Sequence, residues 1–330
     1  MSELRLNLIT REWVIIATER AKRPEEFRKL KNKRHLPTYL DSCPFCPGNE
    51  QRTPDEIMRI PDNGDWKVRV TPNKFAALSS TISRERKNEG GRHLITGFGR
   101  HEVIIESPVH NMFIANMPVD DIANIISTYR ERFIRIYEDP GIEHVIIFKN
   151  YGESAGTSLL HPHSQIIGTP VTPLQVRHRI EEGMRYFDNT GGCLMCTLVD
   201  DEISDGRRVV LDTGHFVTLV PFAALSPFHT WIFPKRHCAT FSSIDEEEVT
   251  DLAFHLKTIL QKFYTGLEDP DFNYIIRSEN PKECKSEYFH WYMSIVPRLT
   301  QTAGFELGSG MYINTSIPEE NAEFLRNIRV

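Results

Sequence analysis

His161-Pro162-His163-Ser164-Gln165 places two imidazoles and an amide at alternate positions of a five-residue run. On extended backbone alternate side chains share a face, so His161, His163 and Gln165 are expected to point the same way. A Cys-x-x-Cys pair, Cys43 and Cys46, and a further histidine, His110, precede the run. Cys43, Cys46, His110 and His161 make up the two-sulfur, two-nitrogen set that tetrahedral zinc accepts in closed structural sites. With His161 turned to the metal, His163 is left beside it as a braced imidazole. A neutral ring held this way can attack an electrophilic phosphorus and form a phosphoramidate. Gln165 can donate its amide to a phosphate oxygen as charge builds there.

The same order of ligands returns later as Cys193, Cys196, His237 and His290. The two late histidines are 51 residues apart in the first copy and 53 in the second. Phe75-Ala-Ala-Leu78 and Phe222-Ala-Ala-Leu225 hold equivalent places, and so do the strand-like runs from His101 to His110 and from His229 to His237. Where the first copy has His163 and Gln165, the second has Tyr292 and Ser294. A phenol near its usual pKa is a poor nucleophile at neutral pH. The chain is therefore read as a duplication with one active half: residues 1–170 catalytic, residues 171–330 lacking the nucleophile. Zinc is expected in both copies, with an empty relict as the alternative in the second. The competing reading is a redox dithiol, which should open a helix after a buried parallel strand. Neither pair is expected to do so, because Pro44, Pro47 and Gly48 shape the first as a knuckle.

Between the paired histidines each copy reads helix and then strand. Ile122, Ile125, Ile126, Tyr129, Phe133, Ile136 and Tyr137 follow the spacing of one helical face up to Asp139-Pro140. Val249, Leu252, Leu256, Ile259, Leu260 and Phe263 do the same behind a Ser243-x-x-Glu246 capping box. The apolar runs His144–Phe148 and Phe272–Ile276 favour strands. The expected class is α+β: duplicated half-barrels, each an antiparallel sheet backed by a helix.

With 330 residues, 40% apolar and 25% charged, the chain reads as globular and long enough for a substantial core. No signal peptide and no membrane-spanning run is read from it. Four of its six cysteines fall in Cys-x-x-Cys pairs, which without a secretion signal favours metal or redox use, and a cytoplasmic location is expected. A net charge of -6 argues against a nucleic-acid partner. The stretch from Arg20 and Arg23 through Lys31, Lys33 and Arg34 is nonetheless locally basic.

The run from Asn150 to Ser158, leading into His161-Pro-His-Ser-Gln165, resembles the active-site segment of the galactose-1-phosphate uridylyltransferase family of the histidine-triad superfamily. The opening Trp13–Pro24, the segment Asn73–Leu78, Ser107-Pro-Val-His110 and the close Ala303–Asn314 carry the likeness over nearly the whole chain. Ser164, Tyr292 and the stretch Gly304–Asn314 depart from the best-known bacterial members and are similar to a branch that includes ADP-glucose phosphorylase. The resemblance implies a histidine-triad-like fold, a homodimer, and a double displacement in which His163 takes a nucleoside monophosphate from a nucleotide sugar. Gln165 would orient the phosphate. It places Arg20 and Arg23 near the nucleotide and its phosphates, Asn73 and Phe75 at base and ribose, and Asn150, Gly156 and Ser158 along the phosphate path. Uridylyl transfer between UDP-glucose and a hexose 1-phosphate, a step of galactose metabolism, is the first expectation. Adenylyl transfer from ADP-glucose with phosphate as acceptor is the alternative. A histidine-triad hydrolase, with water as acceptor, stays open. A zinc-stabilised nucleotide-binding protein, forming no covalent intermediate, is the reading from another class.

Overall fold

A computed structural model describes residues 1–28 and 36–330 of the chain; Lys31, Lys33 and Arg34 lie outside the described residues. Ten strands build the main sheet. In the first half they are β1 (Met58–Ile60), β2 (Val68–Pro72), β3 (Arg100–Ile105), β4 (His144–Tyr151) and β5 (His163–Thr169). In the second they are β6 (Val209–Asp212), β7 (Phe216–Leu219), β8 (Thr230–Pro234), β9 (Phe272–Arg277) and β10 (Tyr292–Pro297). The spatial order is β6-β7-β8-β10-β9-β4-β5-β3-β2-β1, every neighbour antiparallel. Each half thus repeats one pattern of five strands, and the halves join where Asn273 of β9 pairs with Asn150 of β4. The two half-barrels are one continuous sheet, because the final strand of each pattern is open to the other and backbone pairing closes both edges.

The alternation of the strands sends one set of residues to a shared core. Val70, Ile104, Ile147 and Ile166 meet the apolar face of helix α1 (Val119–Tyr137). Ile232, Ile276, Met293 and Ile295 meet the helix spanning Glu246–Gly266, which packs beside α1. That second helix is capped differently from the sequence expectation. Asp245 accepts from the Glu248 backbone N–H at 2.9 Å and Glu248 reciprocates, while Ser243 ends a preceding 3-10 turn. Two boxes of the same pattern overlap here, and the later one wins because it buries Glu248, where Arg236 pairs with it.

The opposite face is where the halves differ in content. Under the first half Val103 and Ile105 pack with Cys43, Phe45, Cys46 and Trp66. Under the second, Trp231, Phe233 and Tyr292 pack with Ile9, Met195 and Val199. The N-terminal hairpin, strands Glu3–Leu6 and Trp13–Ile16, joins Tyr312–Asn314 in a small sheet. Val14 and Ile16 of that sheet press on Ala223 of the second half.

Candidate active site

The first Cys pair sits in a tight turn whose thiols accept backbone N–H groups. Phe45 donates to Cys43 Sγ and Leu40 to Cys46 Sγ, both at 3.4 Å. His110 ends the segment after β3, and His161 stands two residues before β5 begins. Cys46 Sγ lies 3.5 Å from His110 Nδ1 and 3.6 Å from His161 Nδ1; Cys43 Sγ lies 3.6 Å from His161 Nδ1, and the two Nδ1 atoms are 3.2 Å apart. A tetrahedral zinc with legs of about 2.3 Å to sulfur and about 2.0 Å to nitrogen has edges of roughly 3.3–3.8 Å, so the donor set fits. His161 Nε2 donates to the Ser107 carbonyl at 2.7 Å, which leaves Nδ1 as the ligand atom. Burial pushes His161 down to about 4, keeping the ring neutral, as a ligand must be.

The second cluster has the same composition in looser surroundings. Cys196 Sγ lies 3.2 Å from both His237 Nδ1 and His290 Nδ1, and all four donor atoms of each cluster lie within 4.8 Å of one another. His237 is exposed and Cys196 half-buried, whereas all four residues of the first cluster are buried. Contrary to the sequence expectation, this pair does open a helix: Cys193 caps Leu194–Asp205. The preceding element is a helix ended by left-handed Gly191, with no parallel strand, so the dithiol lacks the setting of a redox motif.

His163 opens β5, opposite Ile105. Phe45 of the Cys turn touches His161 and His163 edge-on, with centroids at 5.9 and 5.4 Å, so both imidazoles share the face covered by the turn. His163 Nδ1 donates to the His161 carbonyl at 2.8 Å, which leaves Nε2 with its lone pair. Burial holds the ring below the ordinary histidine range. From behind, Lys149 Nζ donates to the His163 carbonyl at 2.9 Å and to Glu106, a buried ion pair that Tyr129 and Tyr274 close off. The ring borders a pocket lined by Phe113, Asn150, Gly152 and Leu159 among others.

A neutral imidazole with a free Nε2 beside a pocket has the chemistry of a nucleophile. Residues 1–173 match the N-terminal domain of galactose-1-phosphate uridyl transferase, and residues 144–327 its C-terminal domain. The chain belongs to the galactose-1-phosphate uridylyltransferase family. It is 39% identical to ADP-glucose phosphorylase of Arabidopsis thaliana, over 99% of this chain and 93% of that protein. To galactose-1-phosphate uridylyltransferase of Thermotoga maritima it is 28% identical, over 100% and 99%. A crystal structure of the Arabidopsis ADP-glucose phosphorylase with bound ADP-glucose superposes with a TM-score of 0.85 at 36% identity, covering 100% of this chain and 99% of that one.

Within this family fold the expected site residues do not all meet. Asn150 lines the His163 pocket, its Oδ1 held at 2.8 Å by Asn273 Nδ2 from the second half. Asn73 stands beside Gln165, 3.4 Å from its Oε1. Phe75 is 85% exposed on the following loop. Gly156, at φ +86°, closes the turn after Gly152, and a Cβ there would lie 3.9 Å from Asn150 Nδ2. Ser158 is exposed, two residues beyond that turn, and does not line the pocket. Arg20 and Arg23 do not line it either. Their segment is tied to Asn314 and Thr315, with Phe27 against Phe228 of the second half. Sequence reasoning missed His101, whose Nε2 lies 2.8 Å from Gln165 Oε1, and the Lys149–Glu106 pair. The signal for His101 was that both strand runs, His101–His110 and His229–His237, open on histidine. Lys149 stood out only as a charge ending an apolar run.

Proposed function

We propose that this chain is a nucleotidyltransferase working by two displacements through His163, with ADP-glucose as donor and phosphate as acceptor. In the first step His163 Nε2 attacks the nucleoside-bearing phosphorus. A P–N bond forms, the P–O bond to the sugar phosphate breaks, and glucose 1-phosphate leaves with the electron pair. In the second, a phosphate oxygen attacks the same phosphorus, the P–N bond breaks, and ADP departs with the ring restored. The observation that carries this is the fixed tautomer: the His163 Nδ1–H bond to the His161 carbonyl frees Nε2 and then delocalises the positive charge of the adduct. Gln165 is the phosphate-orienting partner. The donor follows from the 39% identity to ADP-glucose phosphorylase, against 28% to a uridylyltransferase over similar length.

Uridylyl transfer between UDP-glucose and a hexose 1-phosphate is the second reading, favoured by the family match across both halves. In either case zinc is the metal we assign to Cys43, Cys46, His110 and His161, and to Cys193, Cys196, His237 and His290. Bound there, it would lock four side chains into a rigid node, beside β5 in the first half and beside β10 in the second. A homodimer is part of the proposal: Arg20 and Arg23 do not line their own His163 pocket, and a second copy would be the means of bringing them to a nucleotide. All six cysteines are free thiols, in keeping with a cytoplasmic setting. Among the described residues no helix is long and apolar enough to cross a membrane.

The test is to incubate the metal-loaded protein separately with ADP-glucose and UDP-glucose, each labelled in the nucleoside phosphate, and to map any acid-labile adduct. Label from ADP-glucose on His163 is expected. Label from UDP-glucose alone moves the assignment to uridylyl transfer, and no adduct from either overturns the covalent mechanism.

A further inference from the structure

An amide donates to a phosphate only if its nitrogen, rather than its oxygen, is turned toward it, and the two ends of Gln165 are nearly the same size. The surroundings decide which end is which. Ala77 N–H donates to His101 Nδ1 at 3.1 Å, so that nitrogen holds the lone pair and Nε2 holds the proton. His101 Nε2 then donates to Gln165 Oε1 at 2.8 Å. Asn73 is fixed in its turn by Phe75 N–H, which donates to Asn73 Oδ1 at 2.8 Å, so its Nδ2, which stands beside His101 Nε2 at 3.0 Å, is a second N–H donor, 3.4 Å from the same Gln165 oxygen. Gln165 Oε1 thus faces two N–H donors. Reversing the amide would set N–H against N–H twice. Among the described residues the Gln165 nitrogen has no partner of its own, and both its protons remain for a ligand.

We propose that His101 is a positioning residue: by donating to Gln165 Oε1 it holds the Gln165 amide with its N–H groups toward the transferring phosphoryl group. The inference rests on the nucleotidyl-transfer reading of His163. The duplication supports it independently. His229 stands two residues before Trp231, which pairs with Ser294, as His101 stands two residues before Val103, which pairs with Gln165. There too a loop N–H, that of Leu225, points at Nδ1 (3.4 Å), and Nε2 lies 2.8 Å from the side-chain oxygen at the Gln165 position. In the second half, however, the group at that place is the Ser294 hydroxyl, which can donate or accept as the ring requires, so the histidine fixes no orientation there. The histidine is shared by both halves; its use as a donor to an amide belongs to the half that has the amide.

Free rotation of the Gln165 amide alone halves the competent population, about 2-fold, while full loss of one phosphate donor costs about 10²-fold. His101→Ala is therefore expected to lower the single-turnover rate of His163 nucleotidylation about 10-fold, with the fold and metal content kept. His101→Gln, whose amide nitrogen reaches the place of the imidazole Nε2, should recover most of that rate, whereas His101→Phe should not. The deciding measurement is the double variant. On a Gln165→Ala background, His101→Ala should change the rate less than 2-fold, because the residue acts through Gln165. Rate losses that multiply, or a His101→Ala rate equal to wild type, overturn the proposal while leaving the His163 adduct in place. Absence of the adduct in the wild-type protein overturns the reading beneath it instead.

Discussion

Beneath β3 and β5 of the first half stand Val103, Ile105, His163 and Gln165; beneath β8 and β10 of the second, at the same registers, stand Trp231, Phe233, Tyr292 and Ser294. The aliphatic pair is covered by Phe45 and the Cys turn, and a pocket reaches His163 from the side of Asn150 and Gly152. The aromatic trio packs together: Phe233 stacks on Tyr292 at 4.8 Å and Trp231 meets Tyr292 at 5.4 Å. The loops above repeat the contrast. Phe75 is 85% exposed, whereas Phe222 lies under the Arg5 and Arg208 guanidinium groups at 4.4 and 5.2 Å, and the N-terminal hairpin presses on the loop it belongs to. Tyr292 in the place of His163 is thus one of several differences that make this face of the second half core. Once a pocket no longer needs to admit a ligand, large aromatic side chains gain more from closing it than a cavity would leave.

The second half also braces the first. Asn273 Nδ2 bridges Asn150 and the Ala155 carbonyl, and Asp271 accepts from the Ser154 backbone N–H at 2.8 Å. Tyr274 shares a hydrogen bond of 2.6 Å with Tyr129, whose hydroxyl donates to Ser164 and lies against Glu106. The loop 150–156 and the polar group behind β5 are therefore held from both sides of the seam.

The largest effect should come from removing the nucleophile. His163→Ala is expected to lower turnover at least about 10³-fold while the melting temperature and both metal equivalents are kept. The converse exchange sharpens the comparison. Tyr292→His in the His163→Ala background should form no nucleotidyl adduct, since Trp231 and Phe233 still occupy the approach. An adduct mapped to position 292 would mean that the identity of one side chain, rather than the filled face, silences the second half.

The duplication, both ligand clusters and the two backing helices were legible because each rests on residue type at fixed spacing. Cys-x-x-Cys and His-x-His survive projection onto one dimension. What spacing could not show was the seam, since pairing of β4 with β9 depends on backbone groups that every residue carries. Nor could it show that Arg20 and Arg23 lie against the second half, a matter of how the chain threads between Phe228 and Asn314. The overlapping boxes Ser243-x-x-Glu246 and Asp245-x-x-Glu248 are equal as patterns, and only the burial of Glu248 separates them.

Opening the metal clusters should rank next. Cys43→Ser is expected to reduce zinc content by one equivalent and to lower both melting temperature and activity per folded molecule, because His161 loses the anchor that fixes the start of β5. Cys193→Ser should lower the melting temperature with activity per folded molecule within about 2-fold, its cluster facing a closed site. Elemental analysis, thermal melts and active-site titration on the same preparations check both. Equal losses of activity from the two variants would show that the clusters serve one shared structural role.

A smaller effect is expected from the aromatic plug itself. Trp231 is buried, and Trp231→Ala should cost about 3–5 kcal/mol of stability through lost burial and the cavity left. Denaturant unfolding gives the figure, and rates normalised to folded protein should stay near wild type. A specific fall in rate without a fall in stability would place the plug in communication with His163.

The finest distinction lies in how each half treats its strand-opening histidine. His229 is buried against Trp231 and Ser294, and that burial, with the Arg277 and Arg179 charges adding to it, pulls it down to about 3. Its ordinary value in the unfolded chain is about 6.5. Below that pH the unfolded chain takes up a proton that the folded one refuses, so the unfolded state binds more protons and stability falls as pH falls. The contribution is complete above about 6.5 and is lost progressively on acidification toward 3. Between pH 7 and pH 5 it amounts to about 2 kcal/mol. His229→Gln keeps an amide near Trp231 and Ser294 but cannot titrate. The stability gap between wild type and this variant, measured by urea unfolding in zinc-saturated buffer, should therefore narrow or reverse by about 2 kcal/mol from pH 7 to pH 5. Turnover at pH 7 should stay within about 2-fold, as expected of a histidine whose partner is a plugged face and not a phosphate-binding amide. A gap that holds constant across this range would mean that His229 takes up its proton in the fold as readily as in the unfolded chain, and would overturn the buried neutral ring.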